Sequence, residues 1–349
     1  MSTPDLTEPQ EVSASDQARR LRNGLISVAV LLAVLVGLLL AVPGLRGVGR
    51  VVADMSPGWV AAAVVLEIIS CAGFVVIFLG VFERLPVVFG ARVALSEMAF
   101  GAAVSLGGAG SIAVGAWLMH ERRVETREIA SRSAVLFLLT SAINLITLAV
   151  FGFGMGAGIL AGPQRPLLTL IPAVLSVALF CFFLAIPRLT EPGARSGGRV
   201  ARALGATAAT IRATRRTLFR PDWHLLGALA YLWCDIAVLW ACFRAIGHAP
   251  PIAVIVLSYQ IGYLANVLPI PGNIGSLEAG FVGMLVLYGA HATPAAAAAL
   301  VYHAIALWIP AIWGSVAFIR LRRSQSEPLA LRPTRAERAL LRRSRRPLR

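Results

Sequence analysis

Apolar residues run along this chain in long blocks, separated by short segments rich in arginine. Roughly six blocks, 25–42, 59–82, 131–155, 167–186, 223–246 and 294–319, have the length of about 20 residues that crosses a bilayer as a helix. Two further apolar regions, 93–119 and 252–289, are interrupted by glycine or proline. The second interruption is the more informative, because Asn266, Pro269, Pro271, Gly272, Asn273, Gly275 and Glu278 fall in the middle of an otherwise apolar stretch. Hydrocarbon penalises a broken backbone and a carboxylate, so such a break persists only where protein or a water-filled cavity surrounds it. The segment reads as two half-helices meeting at a polar centre, the arrangement that forms substrate sites in many transporters.

Charge orders these blocks across the membrane. If both interrupted regions are re-entrant pairs that return to the side they entered, then the N-terminus, 83–92, 120–130, 187–222 and the tail share one face. That face collects Arg19, Arg20, Arg22, Arg84, Arg92, Arg122, Arg123, Arg127, the 188–220 cluster and the C-terminal arginines, against Arg46, Arg50 and Arg165 opposite, with Arg244 near the edge. A full crossing at 93–119 would carry Arg122, Arg123 and Arg127 outside, against the positive-inside bias. The re-entrant topology, with both termini cytoplasmic, is therefore expected. The run 25–42 is long for a signal core and lacks a clear cleavage site, so it is read as a span that stays.

Composition agrees. The chain of 349 residues is 58% hydrophobic and 14% charged, with mean hydropathy +0.77. Net charge is +15, and all 32 basic residues are arginine. Beside membrane spans this charge predicts contact with anionic lipid headgroups and not with nucleic acid. Arginine-only usage with abundant Ala and Gly points to a GC-rich bacterial genome, hence a bacterial plasma membrane. The cysteines Cys71, Cys181, Cys234 and Cys242 lie in apolar runs and predict neither a disulfide framework nor a metal site. No phosphate loop, catalytic triad or metal-ligand spacing stands out, so no cofactor is expected. Neither 1–24 nor the last 30 residues could form a sizeable folded domain.

The order span, broken pair, span occurs over about 59–155 and again over about 223–319. Gly110-Ser111 aligns with Gly275-Ser276, and Gly115 and Met119 align with Gly280 and Met284. In the charge-derived topology the two units start on opposite sides, which makes an inverted repeat. Between them, 199–220 alternates apolar and arginine positions at helical spacing, as an amphipathic helix on the inner leaflet does. The fold class is thus all-α and polytopic, with about six spans and two re-entrant broken pairs.

Ionisable residues inside membrane spans are candidates for function. Glu278 begins the half-helix after the second break, where the helix N-terminus favours a carboxylate whether it serves transport or only caps. The backbone N–H groups after Gly110 and Gly275 suit a phosphate. Asp235 lines a cavity or proton path, or else hydrogen-bonds between helices; Glu67 and Glu97 stand similarly. Arg132 snorkels at the inner end of its span, meets a lipid phosphate or pairs with Glu97. Asn144 and Asn266 are expected to hydrogen-bond between helices, and His303 to be a packed polar residue.

The motif, the broken pairs and the arginine-rich linker resemble the flippase-like transmembrane family found in bacterial lysylphosphatidylglycerol synthases. That family also includes stand-alone membrane proteins and an archaeal member described as a glycosyltransferase. Its pattern, approximately Asn-x-x-Leu-Pro-x-Pro-Gly-Gly-x-Gly-x-x-Glu, is met at Asn266, Pro269, Pro271, Gly272, Gly275 and Glu278. Asn273 stands where a second glycine is usual, and asparagine tolerates a left-handed backbone. The first break, Ser105 to Ser111, carries neither the proline nor the charged residue often found there. The resemblance, over about 25–320, implies a flippase-like transmembrane domain without the soluble synthase domain, followed by an arginine-rich tail at 321–349. The first expectation is a flippase or scramblase for a phospholipid or a polyprenyl-phosphate lipid, in which Glu278 and Asp235 would provide a proton-coupled or polar relay. A lipid glycosyl- or aminoacyl-transferase, or a non-catalytic partner of a separate synthase, are the alternatives, and a homo-oligomer is possible in each.

Overall fold

A computed structural model describes residues 43–103, 109–194, 198–219, 222–262 and 276–323, and side chains within 48–101, 111–188, 205–219, 222–262 and 280–323. The described residues form helices α1 (Pro43–Ala53), α2 (Pro57–Val81), α3 (Val87–Ala103), α4 (Ala109–Glu121), α5 (Thr126–Gly156), α6 (Pro166–Ala194), α7 (Gly198–Leu218), α8 (His224–Ile246), α9 (Ile252–Gly262), α10 (Ser276–Leu287) and α11 (Ala292–Arg323). Proline opens α1, α2 and α6, where its missing N–H would have had no helical partner. Gly247 (φ 102°) and Gly289 (φ 96°) follow α8 and α10 in the left-handed conformation that ends a helix without a Cβ clash.

Five helices are long and apolar enough to cross a membrane: α2, α5, the 166–188 part of α6, α8 and α11. They match five of the expected spans, and the first, 25–42, lies outside the described residues. Side chains such as Leu167, Ile171, Leu175 and Phe182 on α6 are exposed on the protein surface, where lipid and not water is their natural solvent. The chain is a multi-pass, all-helical membrane protein. The expected amphipathic segment is α7, which buries Ala208, Ile211 and Thr214 along one stripe and exposes Arg212, Arg215 and Arg216. Helix α1 was not expected. Its 11 residues are too short to read as a span and carry Arg46 and Arg50, yet Val48 is buried and the helix packs on α11.

Both interrupted regions are pairs of short helices. In the first, a Cβ at Gly115 would overlap the Glu97 carboxylate and one at Gly101 would sit 3.2 Å from Ser111 Cβ, while the Arg122 guanidinium lies 5.6 Å from the Phe89 ring. These three contacts march in opposite directions along α3 and α4, so the two helices form a hairpin that starts and finishes at one end of the molecule. Arg132 Nη1 donates to the Val81 carbonyl at 3.0 Å, which brings the start of α5 to that same end. At about 25 Å and 20 Å, α3 and α4 are each shorter than a bilayer's hydrocarbon core. In the second pair Gly262 lies against Phe281 so closely that a Cβ could not fit, bringing the C-terminal turn of α9 against α10.

Helix α2 runs antiparallel to α8. Ser56 N–H donates to the Ala245 carbonyl at 2.9 Å at one end, and Gly80 packs on His224 at the other. Near that second end, a Cβ at Gly73 would fall 2.6 Å from the Gly227 carbonyl oxygen, and one at Gly227 would fall 2.6 Å from that of Gly73. The order long, short, short, long occurs at α2–α5 and again at α8–α11, and the contacts between helices exchange in the same way: α3 packs on α11 as α9 packs on α5, and α2 on α11 as α8 on α5. The end that holds the start of α3 and the end of α4 carries Arg84, Arg122, Arg123, Arg127 and, through an ion pair to Glu121 at 3.4 Å, Arg322. The other end carries Arg244, whose guanidinium lies 5.3 Å from the Trp59 ring and 5.8 Å from the Trp240 ring.

Candidate functional site

The antiparallel seam between α2 and α8 holds two carboxylates, Glu67 buried and Asp235 half-buried. On α2, Ala63, Glu67 and Ser70 recur at helical spacing and face α8, and all three are buried. Ser70 Oγ donates to the Tyr231 carbonyl across the seam at 2.9 Å. Glu67 is only 4% exposed and accepts one weak bond, from Cys71 Sγ at 3.7 Å. Asp235 Oδ2 accepts from the Tyr259 hydroxyl of α9 and from the Tyr302 hydroxyl of α11, the latter at 3.2 Å. Glu67 lies one turn before Ser70 and Asp235 one turn after Tyr231, so the bond between Ser70 and Tyr231 sets the two acids opposite one another across the seam. Glu67 Oε2 and Asp235 Oδ1 are buried and have no hydrogen-bond partner among the described residues.

Three rings close the site. Tyr259 stacks on Phe281 with centroids 5.5 Å apart, Phe281 meets Tyr302 at 5.7 Å, and Tyr259 meets Tyr302 edge-on at 6.2 Å. Each ring comes from a different helix of the second unit, α9, α10 and α11, so Asp235 is the point at which four helices meet. An apolar crevice of about 440 Å³ lies at the N-terminal end of α2, lined by Met55, Val60 and Val64 together with Val301 of α11. Val60, Val64 and Glu67 share one side of α2, and Val301 adjoins Tyr302. A shallow depression of about 410 Å³ on α7 is lined by Arg212, Arg215, Arg216 and Phe219.

The expected site residues meet mixed outcomes. Asp235 forms hydrogen bonds between helices, the structural alternative read from the sequence. Asn266, Pro269, Pro271, Gly272, Asn273 and Gly275 lie outside the described residues. Glu278 falls in the first turn of α10, which begins at Ser276, and Gly110 and Ser111 fall in the first turn of α4. Glu97 is buried, 4% exposed, against Gly115 of α4. Arg132 does not pair with Glu97: it bonds the Val81 carbonyl and lies 4.0 Å from Glu83, because α5 starts beside the end of α2. Asn144 does not bridge helices either. Its Nδ2 donates to the Thr140 carbonyl one turn back at 2.9 Å.

Glu67 as the partner of Asp235 was not foreseen. Its signal was present: each acid sits on the leading helix of its unit, beside a stripe of small residues, Ala63, Ser70 and Gly73 on one and Gly227 and Ala228 on the other, that lets two helices approach closely.

These features define a class: a polytopic helical membrane protein with two pairs of short helices and an acidic seam. Residues 24–314 match the model of the family described as the lysylphosphatidylglycerol synthase TM region. The chain belongs to that family. It is also 33% identical over 90 residues to a "UPF0104 membrane protein" of the archaeon Methanothermobacter thermautotrophicus (strain Delta H). That match covers 25% of this chain and 26% of the archaeal protein, so it reports on one segment of each.

Proposed function

We propose that this protein moves a phosphate-bearing lipid, a phospholipid or a polyprenyl-phosphate lipid, between leaflets, working as an inverted repeat with two re-entrant hairpins. The observation that carries the reading is the antiparallel pairing of α2 with α8 and the exchange of contacts between the two units, the plan in which transporters place their substrate at the interface of the repeats. A polar centre there is costly in a membrane and is kept for a substrate or an ion. The headgroup phosphate would rest on the backbone N–H groups that open α4 and α10, with Glu278 in the first turn of the latter. The acyl chains would lie in the apolar crevice at Val60, Val64 and Val301. Arg215 and Arg216 of α7 would contact anionic headgroups of the inner leaflet. Both termini would be cytoplasmic, in a bacterial plasma membrane.

The direct test is reconstitution in liposomes carrying headgroup-labelled phosphatidylglycerol or polyprenyl-phosphate lipid. The expected result is that inner-leaflet label becomes accessible to an external quencher only with protein present, and that Glu278→Gln abolishes this while remaining monodisperse and folded. Full activity of the variant removes Glu278 from the site, and no exposure of any lipid by folded protein removes the transport reading. Topology has its own check. In a chain with its four cysteines replaced by alanine, Gln164→Cys should react with an impermeant maleimide in intact cells. Arg123→Cys should react only after permeabilisation, and the reverse pattern inverts the topology.

A further inference from the structure

The seam of α2 and α8 sets a charge problem that its surroundings do not solve. Glu67 and Asp235 face one another in the register set by the Ser70–Tyr231 bond, and no arginine among the described residues forms an ion pair with either carboxylate. The groups facing the pair are Cys71 of α2 and Cys234 of α8, Tyr259 of α9 and Tyr302 of α11. Glu97 of α3 faces α4 instead, and α5 presents no titratable group to the pair among the described residues. Three of the facing groups already donate hydrogen, Tyr259 and Tyr302 to Asp235 and Cys71 to Glu67. One oxygen of each acid, Glu67 Oε2 and Asp235 Oδ1, is left buried without a donor. Two neighbouring carboxylates in such a place do not both stay ionised, since each penalises the charge of the other. Surroundings made of hydroxyl and thiol donors, already turned toward the acids, leave room for a proton and do not offer the set of oxygen ligands that a metal cation requires.

We propose that Glu67 and Asp235 together hold one exchangeable proton, bound at Glu67 Oε2 or Asp235 Oδ1, and that its passage is the energy source for lipid movement. The proton is taken from water at one end of the molecule, forms an O–H bond at one of these two oxygens, and returns to water at the other end. No other bond changes. The tyrosines fix Asp235 from α9 and α11, so gain or loss of the proton changes how strongly these two helices are tied to α8. The proton site stands on the geometry of the seam, whereas the coupling rests on the lipid-moving reading above.

Infrared difference spectroscopy of the purified chain in lipid, titrated with base, reads the site without any transport. The expected result is a protonated-carboxyl band that disappears as pH rises, is altered in both Glu67→Gln and Asp235→Asn, and changes its pH midpoint in Tyr302→Phe, which keeps both acids. Circular dichroism confirms that each variant is folded. Absence of the band, or an unchanged band in both acid variants, overturns the proton site. Coupling is read in liposomes carrying a gradient of one pH unit. One proton per lipid should produce about a tenfold difference in lipid between leaflets, and Glu67→Gln should produce none. Lipid movement indifferent to the gradient overturns the coupling. A titrating band with no lipid movement at all leaves the proton site standing and overturns the lipid reading instead.

Discussion

Replacing Gly73 with valine should be among the most destabilising single changes at the seam. The new Cβ would fall 2.6 Å from the Gly227 carbonyl oxygen and 2.7 Å from the Tyr231 backbone nitrogen. Both are main-chain atoms of α8 held by its own hydrogen bonds, so no side chain can swing away to make room. The helices must separate, and separation opens the contacts that bury Ala63, Glu67 and Ser70. Overpacking in a core costs about 1–3 kcal/mol, and a backbone obstacle belongs at the upper end or beyond. Gly227→Val meets the Gly73 carbonyl in the same way and should cost as much. Thermal unfolding in detergent measures both. Gly283→Val on α10, where no atom lies within 4 Å of the added Cβ, is the control and should unfold near the wild-type temperature. Equal melting of Gly73→Val and the control would mean that α2 and α8 do not touch in this register.

The second large effect runs the other way. Glu67→Leu should stabilise the fold and stop its work. The carboxylate accepts one weak thiol bond and leaves its other oxygen buried without a partner, so the fold gains little from it and bears its desolvation. Replacing buried ionic pairs by apolar side chains of similar volume is often neutral or stabilising, by up to about 4 kcal/mol, and Glu67 has no ion-pair partner among the described residues to strand. A higher unfolding temperature together with lost lipid movement is the signature of a residue kept for function at the expense of stability. A lower unfolding temperature would show that Glu67 is part of what holds the seam together.

The sequence made the helices readable because each apolar block is uniform around its circumference and ends at proline, glycine or a run of arginine. Interruption by glycine or proline then separated full spans from the regions that hold the short helices α3, α4, α9 and α10. Arginine bias led to the expectation of a re-entrant first pair; in the structure Arg122, just after α4, lies over Phe89 at the start of α3. Pairings across the fold were less legible. Asn144 has a partner one turn back that any helix offers, and nothing in its type distinguishes that from a bond to a neighbour. Arg132 found Val81 and Glu83 because the chain between α2 and α5 returns to its starting end, a relation that spacing along one helix does not express. The meeting of Glu67 with Asp235 depends on the register of two antiparallel helices far apart in sequence. Only the small residues at Gly73 and Gly227 record that register, and glycine and alanine are too common in this chain to single them out.

The exchange of contacts between the two units has a further consequence. Helix α3 lies along α11 over a broad surface, while its counterpart contact, α9 on α5, is narrower. Interchanging the two extents describes a second shape assembled from the same kinds of interface. If the protein moves lipid as proposed above, it would need no dedicated hinge and no separate gate: its two shapes would be alternative solutions to one packing problem, and whatever tips the balance between them would choose the leaflet served.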